Sequence, residues 1–315
     1  MTSFHPDLLP VARFIPKGSV TPWNVQILQR LTRRGVPKLP TADDVTVEDV
    51  TVPGAEGAPA FRVRLYRPTD GVGPVPALVW FHGGGYMIGS PEQDQRNLIA
   101  MVRELGIAVA AVQYRLAPQH PFPAPADDGY AGLRWLHDQA ETLGIRPDRI
   151  AIGGASAGGG LAAGVALMAH DRAEVPVAFQ LLIYPMLDDR TVLRTDIDTS
   201  RLRMWSTRGN AFGWTSYLGS QPGGPGVSPY AAPSRSLDLS GLPPAWVGVG
   251  TFDLFHDEDV AYAERLSAAG VPCQLHVVPG AYHGFDGVSP KAAVVKQFHQ
   301  SYVDAMRPAL FAPST

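Results

Sequence analysis

The chain has 315 residues, of which 45% are hydrophobic and 17% charged, with a net charge of −3. That supplies a large apolar core and gives no reason to expect nucleic acid or an anionic membrane as partner. Cys273 is the only cysteine, which rules out an intrachain disulfide and a C-x-x-C site. It follows Val271-Pro272 and reads as a buried packing thiol.

From Met1 to Pro16 there are prolines and no continuous apolar run, and no stretch approaches 18 uninterrupted apolar residues. A cytoplasmic protein without a membrane segment is expected. The 33 glycines and 30 prolines are dispersed, with no internal repeat, and imply many sharp connections. Residues 1–45 read as helical pieces separated by prolines. Trp23, Ile27, Leu28 and Leu31 have helical spacing over 23–34, with Gly35 as a stop. Val45–Val52 and Phe61–Tyr66 alternate apolar and polar, as half-exposed strands near a sheet edge do. Ala77–Phe81 and Ala108–Val112 are continuous apolar runs suited to strands buried on both faces.

Beyond these the pattern alternates. Helices are expected at Asp94–Leu105, Asp127–Leu143, Ala157–His170, Asp257–Ala269 and Lys291–Met306. Strands are expected at Ile150–Ile152, Phe179–Tyr184, Ala245–Val249 and Gln274–Val278. Such alternation implies a mainly parallel sheet of about eight strands with helices on both faces. About 60 residues between Tyr184 and Ala245 break the rhythm. With residues 1–45 they are expected to cover the sheet top: an N-terminal cap segment, then a catalytic domain over 46–315 carrying a helical cap insertion at about 190–225.

Two glycine motifs carry the chemistry. His82-Gly83-Gly84-Gly85 follows the first buried strand, where backbone N–H groups can meet a developing oxyanion. Gly154-Ala155-Ser156-Ala157-Gly158 follows Ile150–Gly153 and reads as a strand-to-helix turn that exposes a serine hydroxyl. Each alone also fits a glycine-rich turn; the two in this order, each behind a buried strand, point to a serine nucleophile. The base should lie late in the chain after the last strand, where His283 precedes Gly284-Phe285. His276 falls in a strand, His299 in the last helix, His137 and His170 on surface helices, and His256 beside three acids. The orienting carboxylate should follow the preceding strand, as Asp253 does. Asp257, Glu258 and Asp259 suit a helix's first turn, where the dipole favours anions, and Asp286 is too near His283 in sequence to face it. Trp205, Phe212, Trp214 and Tyr217 in the insertion, with Tyr86, either line a substrate pocket or only pack.

On these residues the chain resembles the hormone-sensitive-lipase group of bacterial α/β-hydrolase esterases. The resemblance rests on Phe81–Tyr86, Tyr114–Pro118, His120–Ala124, Gly154–Gly159, Asp253-Leu254, Asp257-Glu258 and His283–Phe285. Gly153–Gly164 and Leu187–Arg190 are most similar to its heroin-esterase-like and acetylesterase-like members. The resemblance implies an α/β-hydrolase fold and the roles nucleophile for Ser156, acid for Asp253 and base for His283. It also implies oxyanion donation by the N–H groups of Gly84, Gly85 and Ala157. Ala155 and Gln119 stand where this group usually has Asp and Glu, which leaves the elbow's supporting hydrogen bonds open. The expected substrate is a small ester, acetyl to about hexanoyl, with no metal or organic cofactor. No cap segment is hydrophobic enough for an interfacial lipase lid. An amidase or arylformamidase on the same fold is the rival enzyme, and a non-catalytic small-molecule receptor the rival class. Nothing in the sequence chooses between a monomer and a homodimer.

Overall fold

The apolar runs become the middle of an eight-stranded sheet in a computed structural model that describes residues 3–18, 20–34, 43–55, 57–70 and 73–311. The strands are β1 (Val45–Val52), β2 (Phe61–Pro68), β3 (Val75–Phe81), β4 (Ala108–Val112), β5 (Ile145–Ala155), β6 (Phe179–Ile183), β7 (Ala245–Phe252) and β8 (Cys273–Tyr282). Their order across the sheet is β1-β2-β4-β3-β5-β6-β7-β8. β2 runs antiparallel to both its neighbours, and the other adjacent pairs are parallel.

Side-chain alternation splits each central strand between two cores. Ala77, Val79 and Phe81 of β3 face one core, and Leu78 and Trp80 the other. The first core is closed by α4 (Ala124–Asp138), α6 (Ala157–Arg172) and α8 (His256–Ala268), the second by α3 (Gln95–Leu105) and α10 (Ala293–Phe311). Burial on both faces is why these strands lack a polar alternation, whereas edge strand β1 keeps one. The fold is the expected α/β-hydrolase sheet.

Some boundaries differ from the sequence expectation. The helix expected over Asp127–Leu143 begins at Ala124, with Pro125 in its first turn, and breaks at Gln139 before the short α5 (Ala140–Leu143). Proline is tolerated at a first turn, where its missing N–H would have no partner anyway. The last helix runs past Pro308 to Phe311, because Met306 and Leu310 are buried against the sheet. Cys273 is half-buried, and burial pushes its thiol up to about 11.

The N-terminal pieces are α1 (Leu9–Ala12) and α2 (Val25–Arg34); the expected stop at Gly35 lies outside the described residues. The apolar stripe of α2 does not face inward. Val25 and Gln29 are buried, while Trp23, just before the helix, Ile27 and Leu31 are exposed. Gln29 decides this orientation. Its amide donates to the carbonyls of Met87 (2.8 Å) and Ala117 (3.0 Å), and buried polar bonds of that kind are costly to forgo. The insertion after β6 holds a 3₁₀ turn at Asp189–Leu193 and α7 (Thr207–Leu218), whose N-cap Ser206 accepts from the Gly209 N–H at 3.1 Å. The N-terminal segment reaches it through Arg203 Nε, which donates to the Ala12 carbonyl (2.7 Å), and the Met204 N–H, which donates to Pro16 (2.8 Å). Remaining helix α9 (Phe285–Val288) follows β8. Among the described residues no helix is long and apolar enough to cross a membrane.

Candidate active site

β5 ends at Ala155 and α6 starts at Ala157, so Ser156 alone makes the turn, with φ 58° in the left-handed region. Such strain is held by surrounding bonds. The Ser156 N–H donates to the Ile183 carbonyl (2.9 Å), and its carbonyl accepts from the N–H groups of Gly160 and Met186 (3.0 Å each). The flanking glycines are steric necessities. A Cβ on Gly158 would collide with the carbonyls of Phe81 and His82, and one on Gly154 with the carbonyls of Gly158 and Phe81. The elbow and the glycine loop after β3 are therefore in backbone contact.

In that loop Gly84 (φ 124°) and Gly85 (φ 60°) have positive φ. The Gly84 carbonyl accepts from the N–H groups of Met87 (3.0 Å) and Ile88 (3.1 Å), closing the turn. His82 Nδ1 lies 2.8 Å from the Gly83 carbonyl. The ring stacks on Tyr114 with centroids 4.3 Å apart, and burial pulls its pKa down to about 4. A neutral ring then carries its proton on Nδ1 and donates to Gly83. The Gly83 carbonyl and the Gly84 N–H belong to one trans peptide, so this bond also fixes the opposite direction of that N–H. Ala157 is the first residue of α6, and its N–H has no carbonyl within the helix to meet.

The two remaining candidates arrive from the ends of β7 and β8. His283 Nε2 is 2.9 Å from Ser156 Oγ, and His283 Nδ1 is 2.8 Å from Asp253 Oδ2. The other Asp253 oxygen accepts from the Phe255 N–H at 3.0 Å. All three side chains are buried. Two aromatic edges clamp the imidazole: Tyr184 at 4.8 Å and Phe255 at 5.3 Å between ring centroids. Nothing in the local pattern around Tyr184 or Phe255 marked them, because they meet His283 only once β6, β7 and β8 lie side by side.

The rival side chains are engaged elsewhere. His276 lies 2.9 Å from Ser301 Oγ, His299 stacks on Tyr302, and half-buried His256 faces Asp257 at 2.7 Å. Asp286 accepts from the Tyr184 hydroxyl at 2.7 Å. The helix-dipole explanation holds for exposed Asp257, which pairs with Arg194, but not for its two neighbours. Glu258 is buried and accepts from the N–H groups of Leu187 (2.7 Å) and Asp188 (3.1 Å) and from the Thr191 hydroxyl. Asp259 is fully buried with no hydrogen-bond partner among the described residues. Burial, then the neighbouring Glu258 and Asp253, hold its carboxyl well above the usual range.

Glu258 makes stability pH-dependent. Burial outweighs its donated hydrogen bonds and lifts it from 4.5 to about 8. The folded chain thus keeps a proton that the unfolded chain gives up. The contribution is full below pH 4.5 and is lost as pH rises to about 8, with a slope of at most about 1.4 kcal/mol per pH unit. Melting temperature should fall across that window, and Glu258→Gln should flatten the fall. An unchanged slope in the variant would assign the effect to another group.

Of the pocket candidates, Tyr86 and Tyr217 stack at 3.8 Å, with Trp214 5.9 Å from Tyr86, and all three are fully buried behind the glycine loop. Trp205 lies against Gly85, where its ring fills the space a Cβ would need, and Phe212 is partly exposed. The Gln119 amide donates to Gln29 Oε1 at 3.2 Å, and Gln119 Oε1 lies 3.1 Å from the Gln29 amide nitrogen, whose two hydrogens it shares with Met87 and Ala117. A carboxylate at 119 would accept but could not donate back. At the other departure, the Ala155 carbonyl packs 3.0 Å from where a Gly83 Cβ would stand, and no side-chain bond replaces a carboxylate there.

Comparison with known proteins places the chain in a family. A family model described as the α/β hydrolase fold matches residues 78–287. LipN, a carboxylic ester hydrolase of Mycobacterium tuberculosis, is 39% identical over 259 residues; the match covers 76% of this chain and 64% of that protein. NlhH, a carboxylesterase of the same organism, is 33% identical over 302 residues, covering 90% of each. Among solved structures, a bacterial heroin esterase superposes with a TM-score of 0.90 at 40% identity, covering 98% of this chain and 99% of that one.

Proposed function

The chain belongs to the α/β-hydrolase family, in its hormone-sensitive-lipase-like group of carboxylic ester hydrolases, and we propose that it cleaves small short-acyl esters through an acyl-serine intermediate. The observation that carries this reading is the continuous chain Ser156 Oγ, His283, Asp253 Oδ2, with links of 2.9 and 2.8 Å. Ser156 Oγ attacks the ester carbonyl carbon as its proton passes to His283 Nε2. Asp253 holds the ring by Nδ1 and stabilises the imidazolium. The negative oxygen that forms meets the N–H groups of Gly84, Gly85 and Ala157. The tetrahedral species collapses, and the proton on Nε2 goes to the departing alkoxide. Water then adds to the acyl-serine, giving its proton to Nε2, and the second collapse returns that proton to Ser156 and frees the acid.

The short-acyl preference rests on Trp205. Its indole lies against Gly85, one of the proposed oxyanion donors, and donates to Asn210 Oδ1 at 3.3 Å. A rigid wall so close to the reacting centre limits the acyl chain. Each methylene a pocket gains or loses is worth about 1–3 kcal/mol, roughly 10–200-fold in kcat/KM. A series of p-nitrophenyl esters from acetyl to decanoyl should peak between acetyl and hexanoyl. Trp205→Ala should move the peak to longer chains, and Phe212→Ala less so. A wild-type peak at decanoyl would overturn the short-acyl reading; an unmoved peak in Trp205→Ala would overturn Trp205 as its cause.

A further inference from the structure

The outward face of α2 combines two features seldom left together on a soluble surface. Trp23, Ile27 and Leu31, spaced four apart, are 90%, 57% and 62% exposed, and Phe14 of the preceding segment is 80% exposed. A helix of a globular protein turns such a stripe inward. Here the inward side is occupied by Val25 and by Gln29, whose bonds to Met87 and Ala117 anchor the helix from behind. The second feature is charge. Residues 1–40 hold six Lys or Arg and one acid, Asp7, while the whole chain has 26 basic and 29 acidic residues. Residues 1–40 are thus locally basic within a chain whose net charge of −3 gave no reason to expect an anionic partner, and they carry Trp23, the most exposed aromatic side chain among the described residues. Arg30 projects from the same turn of helix as Ile27 and is exposed, as are Arg13 and Lys17 on the segment before it.

We propose that α2 and the segment before it dock on an anionic phospholipid surface. Trp23, Ile27, Leu31 and Phe14 would enter the interfacial region, and Arg13, Lys17 and Arg30 would meet the head-group phosphates. Such a segment lies in the plane of the interface, held by apolar burial and by attraction to anionic lipid. A second copy of the chain would cover the stripe equally well but would gain nothing from the excess of positive charge, since like segments repel. Docking would set the lipid surface on the face of α2 opposite to Gln29, with the helix between it and Met87 and Ala117.

The test is flotation of the full chain with vesicles of pure phosphatidylcholine and of phosphatidylcholine mixed with phosphatidylglycerol. Partitioning should be at least about ten-fold stronger on the mixed vesicles and should weaken with added salt. Each basic residue near the surface is worth about a five-fold change, so Arg30→Glu should lose more than that on mixed vesicles alone. The pair Ile27→Glu and Leu31→Glu should abolish binding to both while hydrolysis of a water-soluble acetate ester without vesicles stays as in wild type. Tryptophan emission should shift to the blue on binding, and Trp23→Phe should remove that shift. These two readouts decide the matter even if the double variant does not fold. Equal or absent partitioning on the two vesicle types overturns the proposal. So does a wild-type dimer in sedimentation velocity that the same substitutions dissociate, which would assign the face to a second copy.

Discussion

Ser156→Ala should lower kcat by about 10⁴–10⁶ while leaving the melting temperature within a few degrees. The hydroxyl is the only atom removed, and the turn that holds it is built from backbone: the bonds to Ile183, Gly160 and Met186 and the close glycine packing all survive. The residual rate would reflect the oxyanion donors and substrate binding alone. A sulfonyl fluoride or organophosphate should add one group to the wild-type chain and none to the variant, with peptide mapping placing it on Ser156. A label on another serine, or a variant within ten-fold of wild type, would remove Ser156 from the mechanism. Neither outcome would touch the lipid-docking proposal, which is measured without catalysis.

Asp253→Asn should cost nearly as much, about 10⁴ in kcat at neutral pH. The reason is the second partner of the carboxylate. The Phe255 N–H donates to Oδ1 at 3.0 Å, so an asparagine must keep its carbonyl oxygen there. Its amide NH₂ then faces His283 Nδ1, which must accept and can no longer carry the proton. The proton moves to Nε2, the atom that should take the proton of Ser156. The geometry survives and the base does not. KM should change little, since Asp253 lies behind the ring and is buried. A loss under ten-fold would mean that Tyr184 and Phe255 orient the imidazole by themselves and that the carboxylate is dispensable.

The candidate residues were legible in the chain because their backbone demands are local. A serine between small residues and a loop of three glycines announce a tight turn and a close backbone approach wherever they fold. The central strands were legible for a similar reason: burial on both faces leaves a continuous apolar run, as in Ala77–Phe81 and Ala108–Val112. His283 and Asp253 could be ranked above their rivals by position after a strand, but not by anything that touches them.

The tertiary structure decided what depends on neighbours far along the chain. Glu258 and Asp259 sit in a helix's first turn by sequence, yet are buried, because the start of the insertion packs over α8 and Glu258 receives its N–H groups. The apolar stripe of α2 was visible, but its direction was not. A periodic pattern says that a helix has two faces and does not say which face finds the protein. Here two carbonyls, at Met87 and Ala117, receive the Gln29 amide as their donor, and that long-range bonding, absent from any local pattern, turns Trp23, Ile27 and Leu31 outward.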